Sequence, residues 1–242
     1  MFSNYSSYIK EVVLNAFMSP SMRPEQIAKY ILTASEHALF DRVQEREINQ
    51  LLVQREITTL YHFTHIKNVR KIGRFGIIPR FLLDYEAIRL VVKPYFSDHN
   101  RFDKRRDQSC FSITFPNYRM LYKKRQEDAD RWVVLKLNAN LLRTHYFEFT
   151  CKNGAASSVP RTPGVTGLAR LFNNESLRIS KNLKSNETTD PQAESVTDSY
   201  IKPTAIEIVY VHNESQKQYL ERRGIKAMIN KEVFGNRHDF QL

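Results

Sequence analysis

Cysteine is scarce in this chain. Cys110 and Cys151 are the only two among 242 residues, far apart in sequence. That excludes a disulfide framework and predicts two reduced thiols in or near a core, in a cytoplasmic setting. Neither has His, Cys, Asp or Glu neighbours at metal-ligand spacing, so no metal is expected. Long apolar runs are missing too. None approaches the ~18 residues of a membrane span, and no basic-then-apolar leader opens the chain. No internal repeat is present, which excludes a solenoid. Acid is in deficit: 26 Asp and Glu stand against 37 Lys and Arg, a net charge of +11. Such an excess draws in polyanions and speeds encounter with them, without specifying nucleic acid.

What is present suffices for a core, since 41% of residues are apolar and 12% aromatic. Residues 1–55 read as a helical N-terminal extension. Tyr8, Ile9, Val12, Val13 and Phe17 recur at helical spacing, and a second helix follows Pro24. The texture changes from Ile57. Residues 57–63, 109–115, 132–137, 146–149, 206–211 and 226–229 read as strands. Short helices are expected over 66–72, ending near Gly73 or Gly76, over 167–172, and over 214–223, stopped by Gly224. Residues 174–192 are polar and read as loop. Many strands with few short helices predict an α+β domain over 56–242 rather than a doubly wound sheet.

Three stretches carry candidate chemistry. The first is Leu60-Tyr61-His62-Phe63-Thr64-His65-Ile66-Lys67-Asn68. A histidine at a strand end can donate to a ribose hydroxyl, and Thr64 with Asn68 can hold an amide or a second ribose. Read alone, His62 and Thr64 end a strand and Asn68 caps a turn. The second stretch runs from Asp98 through Arg101, Lys104, Arg105 and Arg106 into Asp107-Gln108-Ser109-Cys110-Phe111-Ser112-Ile113-Thr114-Phe115-Pro116-Asn117. A guanidinium there can pair with a pyrophosphate, while three basic residues in a row also suit a solvated loop. The third is Asp190-Pro191-Gln192-Ala193-Glu194-Ser195-Val196, a polar loop delivering a carboxylate to a strand mouth. A lone glutamate is usually an exposed acid without a role. Beside a ribose whose glycosidic bond is breaking, it stabilises the oxocarbenium charge and accepts the nucleophile's proton.

Taken in order, these stretches resemble the DarT family of DNA ADP-ribosyltransferase toxins, over about residues 57–242. The resemblance implies an ADP-ribosyltransferase fold, two packed, strongly bent sheets with a central NAD cleft. It implies NAD as co-substrate, held by Tyr61, His62, Thr64, Asn68 and Ser112, with no metal. Many relatives carry an aromatic that stacks on nicotinamide where this chain has Ser112 or Ile113. It makes Glu194 the catalytic carboxylate. One arginine ahead of the second strand is catalytic by the same resemblance. Arg-x-Asp spacing favours Arg101, with Arg105 and Arg106 as competitors. It further implies transfer to a base of single-stranded DNA by a toxin of a toxin–antitoxin or anti-phage pair. The partner would be an antitoxin that removes the mark from DNA. Residues 109–117 and Asn153-Gly154-Ala155-Ala156-Ser157-Ser158 look closer to the guanine-modifying than to the thymine-modifying branch. The basic residues Lys104, Arg105, Arg106, Arg119, Lys123 and Lys124 are the candidate nucleic-acid contacts.

Two other readings stand beside it. Tyr61, Phe63, Phe111 and Phe115 with surrounding Lys and Arg could form a non-catalytic stacking platform for single strands. An RNA-directed NAD-dependent transferase would share fold and basic surface, but expects clustered arginines and no essential glutamate.

Overall fold

A computed structural model describes residues 26, 42–96, 108–153 and 159–239. Among these, eight strands form one sheet of order β5-β4-β6-β2-β1-β3-β7-β8. In chain order the elements are α1 (Arg42–Gln54), β1 (Thr59–His65), α2 (Ile66–Phe75), α3 (Arg80–Leu83), α4 (Glu86–Val92) and β2 (Ser109–Ile113). Next come α5 (Tyr118–Glu127), β3 (Trp132–Asn138), α6 (Leu141–Thr144), β4 (Glu148–Thr150), β5 (Thr162–Pro163) and α7 (Gly164–Arg170). The chain closes with α8 (Glu175–Ser180), β6 (Glu194–Thr197), β7 (Ile206–Val211), α9 (Glu214–Glu221) and β8 (Met228–Ile229).

The expected α+β layout is present, and the two expected sheets are halves of this one. β1 pairs with β3 along its whole length, from Thr59 opposite Asn138 to His65 opposite Trp132. Its pairing with β2 is confined to Leu60 with Ile113 and Tyr61 with Ser112. Beyond Tyr61 the strands part, and β2 follows β6 through Ser109–Thr197, Cys110–Val196 and Phe111–Ser195. The split opens a cleft at the centre of the sheet.

Alternation sets the two faces. Leu60, Val133, Leu135 and Leu137 enter the main core with Phe111, Phe147 and Phe149. Tyr61, Phe63, Trp132 and Val134 face a smaller cluster with Leu121, Tyr210 and Phe234. β3 is thus buried on both sides, which its run of Trp132-Val133-Val134-Leu135 requires. Truncating the fully buried Leu135 to alanine would cost about 2–5 kcal/mol. Residues 1–25 and 27–41 of the expected N-terminal extension lie outside the described residues. Its last helix, α1, places Ile48 and Leu52 in the main core. Asn49 receives a 3.1 Å bond from Arg143.

One element differs from expectation. The polar stretch 174–192 holds α8, because Asn174 adopts a left-handed φ of 72° and its side chain accepts from Leu177 N. The basic segment after Pro116 is the helix α5, capped by the Asn117 side chain on Met120 N. Gly76 closes α2 at φ 80°. A Cβ there would lie 2.2 Å from the Ile201 carbonyl oxygen, so glycine is required.

Candidate active site

Where β1 and β2 part, the structure encloses a cavity of about 340 Å³, a size suited to a small-molecule ligand. Tyr61, His62, Thr64, Asn68, Ser112 and Glu194 all line it, and so does Lys124. Arg119 and Lys123 stand exposed on α5 and do not line it. Arg101, Lys104, Arg105 and Arg106 lie outside the described residues, as do residues 154–158, while Asn153 reaches the cavity rim.

The β1 end builds one wall. His62 Nδ1 lies 2.8 Å from the Cys110 carbonyl oxygen, across the gap between the strands. A carbonyl can only accept, so Nδ1 carries the proton and Nε2 of the neutral ring is an acceptor. The ring leans on Phe111 at 5.3 Å between centroids. The Tyr61 phenol is pushed up to about 12 by burial, then by nearby Tyr210 and Glu207. It therefore stays protonated at working pH and keeps its O–H as a hydrogen-bond donor.

Asn68 is already engaged. Its Nδ2 donates to the Tyr95 carbonyl at 2.9 Å, and its Oδ1 accepts from Tyr95 N at 2.9 Å. A longer 3.4 Å contact joins Nδ2 to Thr64 Oγ1. Ser112 is buried, and its Oγ accepts from Asn117 N at 2.9 Å. The ring that β2 presents to the cavity is Phe111, the residue before Ser112. The rings at the cavity come from Tyr61, Phe63, Tyr95, Phe96, Phe111 and Trp132.

Glu194 opens β6 opposite Thr150 of β4. It is half-buried, with Asn117 Nδ2 at 3.5 Å from Oε1. Asn117 itself is buried, and its Oδ1 caps α5 through Met120 N at 3.2 Å. A left-handed Thr114, φ 63°, turns the chain so that Asn117 reaches this point.

The loop that delivers Glu194 is fixed by buried guanidiniums. Arg178 donates to the Lys184 carbonyl at 2.7 Å and the Glu187 carbonyl at 2.5 Å. Arg237 donates to the Thr188 carbonyl at 2.8 Å and pairs with buried Asp239 at 2.6 and 2.8 Å. Asp190 Oδ1 then accepts from Gln192 N at 2.8 Å. Removing one partner of so buried a pair typically costs about 3–5 kcal/mol. This fixation preorganises the carboxylate.

Sequence reasoning missed Asn117, Lys71, Arg80, Tyr95 and Gln108 as lining residues. Lys71 and Ile72 follow Asn68 at three and four residues along α2, so helical spacing could have found them. Gln108 is fixed by Arg161, which donates to its Oε1, and by Glu148 Oε2 at 3.2 Å. Among the described lining residues Lys71, Arg80 and Lys124 are cationic and Glu194 is the one acid. Burial and the Lys67 charge lower the Lys71 pKa. This arrangement suits a ligand that carries phosphates near a center where positive charge develops. Among the described residues no three His, Cys, Asp or Glu side chains gather as a metal group.

A family model described as "ssDNA thymidine ADP-ribosyltransferase, DarT" matches residues 61–238. No curated protein matches by sequence. Thermus sp. 2.9 DarT in complex with ADP-ribosylated ssDNA aligns with a TM-score of 0.52 at 18% identity, covering 74% of this chain and 97% of that one. The same protein in complex with NAD+ aligns at 0.50 and 17%, covering 74% and 98%. Thermosipho africanus DarTG in complex with ADP-ribose aligns at 0.51 and 18%, covering 73% of this chain and 50% of that one. This chain thus spans half the length of the DarTG chain. Likeness at these identities shows the fold.

Proposed function

Because the chain belongs to the DarT family of single-stranded-DNA ADP-ribosyltransferases, we propose that its cavity binds NAD and that it transfers ADP-ribose to a base of single-stranded DNA. The observation that carries this reading is the convergence of His62, Thr64, Asn68 and Glu194 on one cavity, from segments over a hundred residues apart. The structures of Thermus DarT with NAD+ and with ADP-ribosylated ssDNA support the assignment of ligand and product.

Lys71 and Arg80 face the pyrophosphate, and His62 Nε2 accepts from a ribose hydroxyl. The bond from ribose C1′ to the nicotinamide nitrogen breaks, and its electron pair leaves with neutral nicotinamide. The Glu194 carboxylate stabilises the cationic sugar. A nitrogen of the base then bonds C1′, and its proton passes to Glu194 and on to water. The catalytic arginine of this reading is Arg101, ahead of Arg105 and Arg106.

For the base our reading is guanine, resting on residues 109–117 and 153–158 alone, against the thymidine of the family description. The biological role is that of a cytoplasmic toxin in a toxin–antitoxin or anti-phage pair, with an antitoxin that hydrolyses the mark. No described helix is long and apolar enough to cross a membrane.

The test is incubation of the protein with labelled NAD and, separately, single-stranded DNA, RNA and protein, followed by mass analysis of the released nucleosides. Deoxyguanosine-linked ADP-ribose from DNA is the expected product. A thymidine adduct would overturn the base assignment and leave the transferase standing. Label on RNA alone, or none on any polymer, would overturn the function.

A further inference from the structure

A short strap, residues 93–96, crosses the cavity wall between α4 and the segment that leads to β2. It begins at Lys93, whose φ of 48° and ψ of 60° turn the chain out of α4. Pro94, Tyr95 and Phe96 line the cavity. The Tyr95 backbone does not join a strand among the described residues. Both its N–H and its carbonyl bond the Asn68 carboxamide, each at 2.9 Å. That pairing imitates one rung of a β-ladder, made by a side chain. Three cations hold the strap as well. Lys71 Nζ donates to the Lys93 carbonyl. Lys67 Nζ sits 4.5 Å from the Tyr95 ring centroid, and Arg80 sits 4.2 Å from that of Phe96. The His65 ring packs on Tyr95 at 4.3 Å.

We propose that Asn68 is a positioning residue: its carboxamide latches the 93–96 strap across the cavity and so fixes the wall against which the dinucleotide binds. Both Nδ2 hydrogens are engaged, one on the Tyr95 carbonyl and one on Thr64. A ligand acceptor would have to displace one of these, and only the second lone pair of Oδ1 stays open to a ligand donor. The inference rests on the reading of the cavity as the NAD site. The loss of the latch loosens the site before chemistry begins, so it weakens NAD binding more than turnover.

The test has two arms. Amide hydrogen exchange at Tyr95 is measured in the protein without NAD, and steady-state kinetics are measured with NAD and an oligonucleotide. Asn68→Ala is expected to speed Tyr95 exchange about tenfold and to raise the KM for NAD about tenfold, with kcat within about threefold. Lys67→Ala relaxes the strap from outside the cavity, since Lys67 does not line it. It should move both readouts the same way by a smaller factor. Should Asn68→Ala fail to fold, Lys67→Ala carries both arms. Unchanged Tyr95 exchange would overturn the latch. Faster exchange with an unchanged KM for NAD would overturn its part in binding, as would a raised KM with unchanged exchange, the result of a direct contact. A wild-type protein that neither binds nor consumes NAD would overturn the cavity's reading, while the exchange arm, run without NAD, still decides the latch.

Discussion

Glu194 meets the cavity as the first residue of β6, with one oxygen near the Asn117 amide and a loop behind it held by Arg178 and Arg237. Its isostere Glu194→Gln keeps the size and the neighbouring contacts but loses the charge. Transfer is therefore expected to fall by about two to three orders of magnitude, with an unchanged melting curve. Activity within about threefold of wild type would remove Glu194 from the chemistry. The residue was picked out by the resemblance of the 190–196 stretch, since a polar loop ending in a carboxylate is by itself a weak signal. Its partner was not, since Asn117 lies 77 residues earlier and reaches it only through the left-handed turn at Thr114. The tautomer of His62 was hidden for the same reason: the carbonyl that sets it belongs to Cys110, 48 residues on.

At the scale of elements, α2 carries a device that titrates. The N-cap of α2 is His65, whose Nδ1 accepts from Lys67 N at 3.2 Å. Burial lowers the His65 pKa, and the Lys67 charge lowers it further. A folded value below the ordinary ~6.5 means that the unfolded chain binds more protons. The stabilisation is therefore complete above about pH 6.5 and is lost as pH falls through the folded value. Protonation at Nδ1 also turns the capping acceptor into a donor. His65→Asn keeps a capping oxygen and should flatten the decline in melting temperature between about pH 7.5 and 5. A residual slope is expected because burial and then Arg125 lower His212 in the same direction. An undiminished slope in His65→Asn would show that this cap does not titrate. The strands β1, β3 and β7 were legible because their apolar and β-branched residues alternate or run unbroken, as the packing demands. Thirteen residues of α1 were legible as helix too. The six-residue α8 was not, since its cap depends on a left-handed Asn174 and its composition is that of a loop. The strap's importance was equally invisible, because the pairing of Asn68 with Tyr95 spans 27 residues and uses a side chain.

For the molecule as a whole, the excess of 11 positive charges acts on a polyanion before any pocket does. Part of the described charge is graded along α5. Arg119 and Lys123 are exposed, while Lys124 turns toward the cavity and pairs with Glu127 at 3.7 Å. A strand led over this helix would meet the exposed pair first and Lys124 at the cavity edge. Arg119→Ala and Lys123→Ala should each flatten the log-affinity against log-salt slope for single-stranded DNA by about 0.7, with little change in turnover at saturating DNA. Lys124→Ala should behave differently. Its loss removes a cation from the cavity, so the KM for NAD rises or turnover falls at any DNA concentration. Salt titrations by fluorescence anisotropy, paired with transfer assays, separate the two classes. If Arg119→Ala and Lys123→Ala leave the slope untouched, the strand does not run over α5. The electrostatic footprint would then have to be sought on the chain's other basic segments, beginning with Lys104, Arg105 and Arg106.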